Sequence, residues 1–154
     1  MSHIAEYQCS LNKVDPELLK KAMEMVAKNR DGKVTATVDS VDERDNVAEW
    51  HGKKIFGAIR TKDLPQGVGI ILDKNGKPTY AYDKLYVAEK TTNFVRNSTF
   101  HKLAKQSEDE MHAIQAAVER TYKTLAIGVA LKKMGCDVSV QSSDRATIIT
   151  GEKI

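Results

Sequence analysis

The stretch that decides the fold is Ser107–Gly135, with the sequence SEDEMHAIQAAVERTYKTLAIGVALKKMG. Its apolar residues recur every three or four positions, which is the spacing of a helix with one buried face. Ser107 followed three residues later by Glu110 matches a capping box, and Gly135 suits the position just after a helix. The spacing therefore predicts a helix over 107–134, roughly 40 Å long.

A shorter helix and a series of strands precede this stretch. Asp15-Pro16-Glu17 combines an N-cap residue, a proline tolerated at the first helical position and an acid that favours the helix dipole, so it predicts a helix ending near Asn29. From Lys33 onward the apolar spacing changes to two, as in half-buried strands. Strands are predicted over 2–11, 34–38, around Trp50, over 55–59, 68–72, 78–87, 136–140 and 146–150.

Asn75-Gly76 is the strongest hairpin signal in the chain, because these two residues accept the positive φ angles of a type I′ turn. The resulting order of elements is strand, helix, several strands, helix and a strand hairpin. This order predicts an α+β fold, with a mainly antiparallel sheet and two helices packed on one face, and it is compatible with ferredoxin-like connectivity. We find no repeat or linker, so we expect a single domain over 1–154.

Composition excludes several classes of protein. Of the 154 residues, 41% are hydrophobic and 29% charged, which is typical of globular rather than disordered chains. Cys9 and Cys136 lack CxxC spacing and the four histidines are scattered, so we expect no metal site, no cofactor and no catalytic residues. Without a signal sequence or a long apolar run, a cytoplasmic location and no membrane association are expected.

Charge is unevenly distributed along the chain. Residues 39–49 contain five acids and one arginine, a sum of −4, and residues 84–105 contain five lysines or arginines and one glutamate, a sum of +4. The acidic run lacks the ligand spacing of a calcium loop, so a solvated loop is the simpler interpretation. The basic segment mixes cations with aromatic rings, as single-stranded nucleic-acid sites do, although an ordinary loop anchored by its aromatics has the same composition. Its candidate nucleic-acid-binding residues are Lys84, Lys90, Arg96, Lys102, Lys105, Tyr86, Phe94 and Phe100.

The second half of the long helix is apolar on more than one side. Gly128 lies in its interior, where glycine costs about 1 kcal/mol relative to alanine, which indicates that something packs tightly against it. Either the chain's own sheet or another protein molecule could do so. The candidate interface residues are Leu125, Ile127, Gly128, Val129 and Leu131.

Several patches of the chain resemble a known family. They are the opening Met1-Ser2-His3-Ile4, the first helix, the hairpin over 69–82, and Tyr122 followed by the residues 131–138. These patches resemble the small reading-frame family, number thirty-five, of plastids and cyanobacteria, a domain of unknown function that also occurs in other bacteria and in viruses. That family has an aromatic residue where this chain has Ile4. The positions that match best are His3, Tyr122 and Gly135.

The resemblance implies a small α+β fold, no established reaction and, from a neighbouring gene in many genomes, an AAA-type ATPase as partner. The absence of site motifs, the uneven charge and the wide apolar face of the last helix predict a non-catalytic binding or adaptor protein that acts through protein–protein contacts. Its partner is expected to be either the ATPase that the resemblance implies or a second copy of the chain. One alternative is nucleic-acid binding through residues 84–105. Another is a small-molecule enzyme or sensor with a pocket between helix and sheet.

Overall fold

The computed structural model describes residues 4–40, 46–50, 52–83, 97–143 and 145–153, with the backbone alone for Ile4, Asn46, Trp50 and 97–101. Two helices and ten strands follow one another within these residues. In chain order they are β1 (Ile4–Gln8), α1 (Pro16–Asn29), β2 (Lys33–Thr35), β3 (Val38–Asp39), β4 (Asn46–Val47), β5 (Glu49–Trp50), β6 (Lys53–Arg60), β7 (Val68–Leu72), β8 (Pro78–Asp83), α2 (Asn97–Lys133), β9 (Cys136–Ser142) and β10 (Thr147–Lys153).

The main sheet has the strand order β1-β8-β7-β6-β2, and β5 adds to β6. Every neighbouring pair in it is antiparallel. The predicted α+β class with an antiparallel sheet is therefore confirmed. Because β6, β7 and β8 are consecutive neighbours and β1 joins at the edge, the order is a meander and differs from ferredoxin-like connectivity. The two C-terminal strands pair only with each other among the described residues, so they form a separate hairpin.

The two faces of the main sheet are covered differently. Both helices pack on one face, where the largest buried cluster combines side chains of α1 and α2 with alternate residues of β6, β7 and β8. The other face is covered by the short β3–β4 ribbon, through Val38 and Val47. A β-bulge between Ile55 and Gly57 places Ile55 and Ala58 on this second face although they are three residues apart.

The predicted single strand over 34–38 is wrong. Lys33–Thr35 pairs with β6, whereas Val38–Asp39 leaves that ladder and pairs with β4. Arg60 stabilises the break, because its Nη2 donates to the carbonyl oxygen of Thr37 at 2.9 Å and its guanidinium forms a salt bridge with Asp39. A contact from a strand some twenty residues away thus overrides the alternating pattern.

The first helix begins as predicted. Asp15 is its N-cap, and the Asp15 Oδ1 accepts the N–H groups of Glu17 at 2.9 Å and Leu18 at 3.3 Å. The side chains that the helix buries in the core are Leu19, Ala22, Met23, Val26 and Ala27. The helix ends at Asn29, and Asp31 then takes a positive φ of 52°.

The long helix ends where the sequence predicts and starts ten residues earlier. Gly135 has a φ of 84°, which stops the helix, and its N–H donates to the carbonyl oxygen of Lys132 at 3.0 Å. The predicted capping box at Ser107 and Glu110 is wrong, because α2 begins at Asn97 and both residues lie inside it. Their side chains contact other elements instead.

The turn between β7 and β8 is a hairpin turn, as predicted, but of a different type. Gly76 has a φ of 80°, whereas Asn75 keeps a negative φ, so a type I′ turn is not formed. The N–H of Asp73 donates to the carbonyl oxygen of Lys77, and that of Gly76 to the carbonyl oxygen of Asp73, both at 3.0 Å. This closes a three-residue loop, in which the Asp73 Oδ1 accepts the N–H groups of Asn75 at 2.8 Å and Lys77 at 2.9 Å.

We expect this turn to weaken at low pH. The hydrogen bond from the N–H of Lys77, followed by that from Asn75, holds the pKa of Asp73 below its ordinary value of 3.8. A group with a lowered folded-state pKa stabilises the fold fully above its unfolded pKa, and this contribution is lost as the pH falls through the folded pKa. NMR titration of the Asp73 carboxyl should show a midpoint below 3.8. In Asp73→Asn this part of the pH dependence should disappear, and an Asp73 midpoint at or above the ordinary value would contradict the hydrogen bonding described.

Candidate protein-interaction surface

The long helix joins two packing units. Its middle turns bury Met111, Ile114 and Val118 against α1 and the main sheet. Its last turns carry the β9–β10 hairpin, whose two strands both contact α2. The C-terminal end of the molecule is therefore a small helix–hairpin unit attached to the main body by a continuous helix.

Gly128 is covered by this hairpin. A Cβ at Gly128 would overlap Ile149 Cδ1 and would lie 3.5 Å from Val138 Cγ1. One turn further, a Cβ at Gly151 would lie 3.0 Å from Leu131 Cδ1. The tight packing predicted at Gly128 is thus provided by the chain itself, and of the candidate interface residues Leu125 and Gly128 are buried.

The remaining candidate interface residues are open to solvent to different degrees. Ile127 is 54% exposed, Val129 is exposed and Leu131 is half-buried. Within the described residues, every large hydrophobic side chain that is exposed comes from this end of the molecule, and together they are Ile127, Val129, Met134, Val140 and Ile148. Exposed apolar side chains gathered in one region are typical of an interaction site, whereas isolated ones are ordinary.

An apolar strip on α2 runs beside β10. Ile127, Leu131 and Met134 are spaced by four and three residues, so they share one helix face. Leu131 contacts β10 at Gly151. On the opposite side of the hairpin, Asn29 Nδ2 of α1 donates to Ser142 Oγ of β9 at 2.7 Å. At this end of the hairpin β9 is therefore the strand that contacts α1, and β10 is the strand beside the apolar strip, through Leu131 and Gly151.

The outer edge of β10 has no pairing strand among the described residues. Its ladder with β9 runs without interruption from Thr147 to Lys153, and it contains neither a proline nor a bulge. Such an edge presents backbone N–H and C=O groups to which another strand can pair. We call this edge, together with Ile127, Leu131, Met134 and the outward-facing Ile148, the C-terminal surface.

A second groove lies on the other side of α2. It has a volume of about 530 Å³ and is lined by Val129 and Ala126 together with residues from the start of α1, among them Leu18 and Lys21. The exposed Val129 side chain belongs to this groove and not to the C-terminal surface.

The basic segment is only partly described. Lys84, Lys90, Arg96, Tyr86 and Phe94 lie outside the described residues, and of Phe100 only the backbone is described, within α2. Lys102 and Lys105 are exposed and border a groove of about 510 Å³.

The charge in this groove is balanced. Its wall contains Arg30 besides the two lysines, and three acids, Asp63, Asp109 and Glu110, stand against these three cations. Lys105 Nζ lies 3.7 Å from Asp109 Oδ1. The described part of the segment therefore does not form a uniformly cationic surface of the kind that nucleic acids require.

A buried polar cluster connects the sheet to α2. Gln66 is fully buried, and its Nε2 donates to Ser107 Oγ at 2.9 Å and to the carbonyl oxygen of Asp83 at 3.4 Å. Ser40 Oγ donates to Asp83 Oδ2 at 3.1 Å. No sequence motif indicates this cluster, because its members are distant in the chain, and its contacts are those of a structural link.

A second polar cluster surrounds Cys9. Its Sγ lies 3.7 Å from Tyr80 Oη, which in turn donates to Glu119 Oε2 at 3.3 Å. Burial, the largest cause, raises the pKa of both the Cys9 thiol and the Tyr80 hydroxyl. Cys9 is therefore held as an unreactive thiol.

The residues that carry the family resemblance have structural contacts where they are described. Tyr122 Oη accepts the N–H of Asp15 at 2.8 Å, and Gly135 ends α2. His3 lies outside the described residues. In the described part of the chain there is no group of three or more histidine, cysteine or acidic side chains placed to hold a metal ion.

No family model, curated protein or solved structure matches the chain. The resemblance to the reading-frame family therefore stays a prediction. None of the helices within the described ranges combines the length and the apolar character needed to cross a bilayer.

Proposed function

We propose that this protein is a non-catalytic binding or adaptor module, located in the cytoplasm, and that its C-terminal surface docks a protein partner. The observation that supports this proposal best is the gathering of exposed apolar side chains beside a strand edge to which no other described strand is paired. Met134 is 73% exposed and Ile148 57%, and exposed apolar side chains grouped in one region are typical of an interaction site.

The C-terminal surface offers two kinds of contact at once. A partner strand can pair with the edge of β10 through backbone hydrogen bonds, which is a common mode of peptide recognition. A partner that extends over both sides of the added strand would also cover the half to three-quarters exposed side chains of Ile127 and Met134 on the helix side and of Ile148 on the other side. At about 1.5–3 kcal/mol for full burial of each, they would contribute on the order of 4 kcal/mol before the costs of association.

The resemblance to the reading-frame family names the first partner to test, an AAA-type ATPase. Nucleic-acid binding has no comparable support, because the described cations of the basic segment are balanced by acids. The proposed partner of the C-terminal surface is therefore a protein.

Charged substitutions on the C-terminal surface should weaken partner capture. An aspartate at position 127 or 148 would have to be desolvated at the interface, so Ile127→Asp and Ile148→Asp should each lower recovery of bound protein at least tenfold, which corresponds to about 1.4 kcal/mol. The measurement is quantitative mass spectrometry after affinity capture from the native cell. Asn12→Asp, at an exposed position in the loop after β1, is the matched control and should leave recovery unchanged.

Two results would count against the proposal. If Ile127→Asp and Asn12→Asp lose the same amount of bound protein, the loss results from the added negative charge at any surface position and not from the C-terminal surface. Full recovery in all three variants, with circular dichroism showing that each is folded, would place the binding site elsewhere.

A further inference from the structure

We infer that a second copy of this chain occupies the C-terminal surface, through antiparallel pairing of the two β10 strands about a twofold axis at Thr150. The inference rests on the proposed function and names its partner as the chain itself. The resulting sheet would have the order β9-β10-β10-β9, with a copy of α2 beneath each hairpin.

The sequence of β10 is compatible with its own antiparallel copy. When the two strands pair about Thr150, all seven residues of β10 face a residue of the other copy. Sliding one strand by two residues in either direction would leave only five facing pairs. Glu152 then lies opposite Ile148, and Lys153 opposite Thr147, so no like charges face each other. Ile149 of each copy lies opposite Gly151 of the other, which places a branched side chain beside a residue without one.

The spacing of strands also brings the two long helices to packing distance. Each helix lies beneath its own hairpin, and the centres of the two hairpins would be separated by two strand spacings, about 9.6 Å. Packed helices are separated by roughly 8–10 Å. The four-stranded sheet would therefore place the two copies of α2 side by side without a gap.

The apolar strips would face each other in this arrangement. Thr147 Oγ1 lies 3.1 Å from Thr121 Oγ1, and further along β10 the residues Ile149 and Gly151 contact Gly128 and Leu131, so β10 runs in the same direction as α2. A twofold axis at the level of Thr150 thus makes the helices antiparallel. Ile127 of one copy then lies opposite the Leu131–Met134 turn of the other, so these three side chains cover one another, while Ile148 lies on the other face of the sheet beside Glu152.

The size of the contact indicates weak association, in which the fraction of dimer depends on the protein concentration. The seven residues of β10 and the three apolar residues of the strip, Ile127, Leu131 and Met134, give ten residues per copy. Standard stable interfaces use roughly 20–30 residues a side. About half of that number corresponds to the weak end of specific association.

The test is sedimentation velocity of the purified chain over a wide range of concentration. The wild type should shift reversibly from monomer to dimer. Thr150→Lys places two lysines opposite each other at the axis and should weaken dimerisation at least tenfold. Ser139→Lys is the matched control, because Ser139 is the register partner of Thr150 on β9, is exposed like it and shares the same face of the hairpin. It should leave dimerisation unchanged.

A charge exchange distinguishes pairing from misfolding. Thr150→Lys and Thr150→Glu proteins should each be monomeric alone and should form a mixed dimer when combined, since opposite charges then face each other. A wild type that remains monomeric at every concentration would overturn the inference, as would equal weakening by Ser139→Lys or failure of the mixture to associate. If the wild type is monomeric while Ile127→Asp still loses a different captured protein, self-pairing is refuted and the proposed function stands.

Discussion

A leucine in place of Gly128 is expected to detach the C-terminal hairpin and leave the main core folded. The added side chain would occupy the space now filled by Ile149 Cδ1 and approach Val138 Cγ1. Overpacking of this kind costs about 1–3 kcal/mol, whereas the helix itself gains from losing a glycine. Because the hairpin forms no pairing with the main sheet among the described residues, the strain should appear as its release.

Hydrogen exchange followed by mass spectrometry measures this release. Peptides covering 136–153 should exchange at least tenfold faster in Gly128→Leu, in line with about 1.4 kcal/mol or more, and peptides from β6 to β8 should be unchanged. Ala130→Leu adds a similar side chain at an exposed position of the same helix and is the control. Unchanged exchange of the hairpin in Gly128→Leu would show that its packing on α2 does not hold it in place.

The second large effect is expected at the salt bridge between Arg30 and Glu110. Arg30 Nε donates to Glu110 Oε1, and only 18% and 9% of the two side chains are exposed. Glu110→Ala leaves the arginine charge largely buried without this carboxylate. Breaking a buried pair of this kind typically lowers the free energy of unfolding by about 3–5 kcal/mol. Because the arginine keeps some access to water, we expect a loss of about 3 kcal/mol in Glu110→Ala.

Urea unfolding measures this change in the free energy of unfolding directly. Glu108→Ala is the control, because Glu108 lies two residues away on the same helix and its contact with His112, at 3.6 Å, is half exposed on both sides. That variant should lose no more than about 0.5 kcal/mol. Similar losses in Glu110→Ala and Glu108→Ala would mean that the Arg30 contact adds nothing beyond an ordinary surface pair.

Elements with local signals could be predicted from the sequence. The first helix is defined by Asp15 and Pro16, which act on backbone groups within three residues, and the end of α2 is defined by Gly135. The predicted start of α2 at Ser107 is wrong for the opposite reason. Ser107 and Glu110 have the spacing of a capping box, but they bind Gln66 and Arg30, which are 41 and 80 residues away in the chain.

The same distinction holds for the candidate site. The apolar stretch around Gly128 is visible in the sequence, and so is the need for something to pack on it. Which side chains stay exposed depends on where the hairpin lies, and neighbours such as Ile127 and Gly128 point about 100° apart on the helix. The polar contacts of Gln66 and the departure of β3 from the main ladder depend likewise on residues far along the chain.

Position-specific crosslinking in the native cell tests the role of the C-terminal surface most directly. A photoreactive amino acid placed at Ile148 should give discrete protein adducts, of the chain with itself or with one partner, that disappear when Ile127→Asp is added. The same amino acid at Lys20, exposed on α1, should give none. Adducts at Lys20 and none at Ile148 would contradict the assignment of protein binding to this surface.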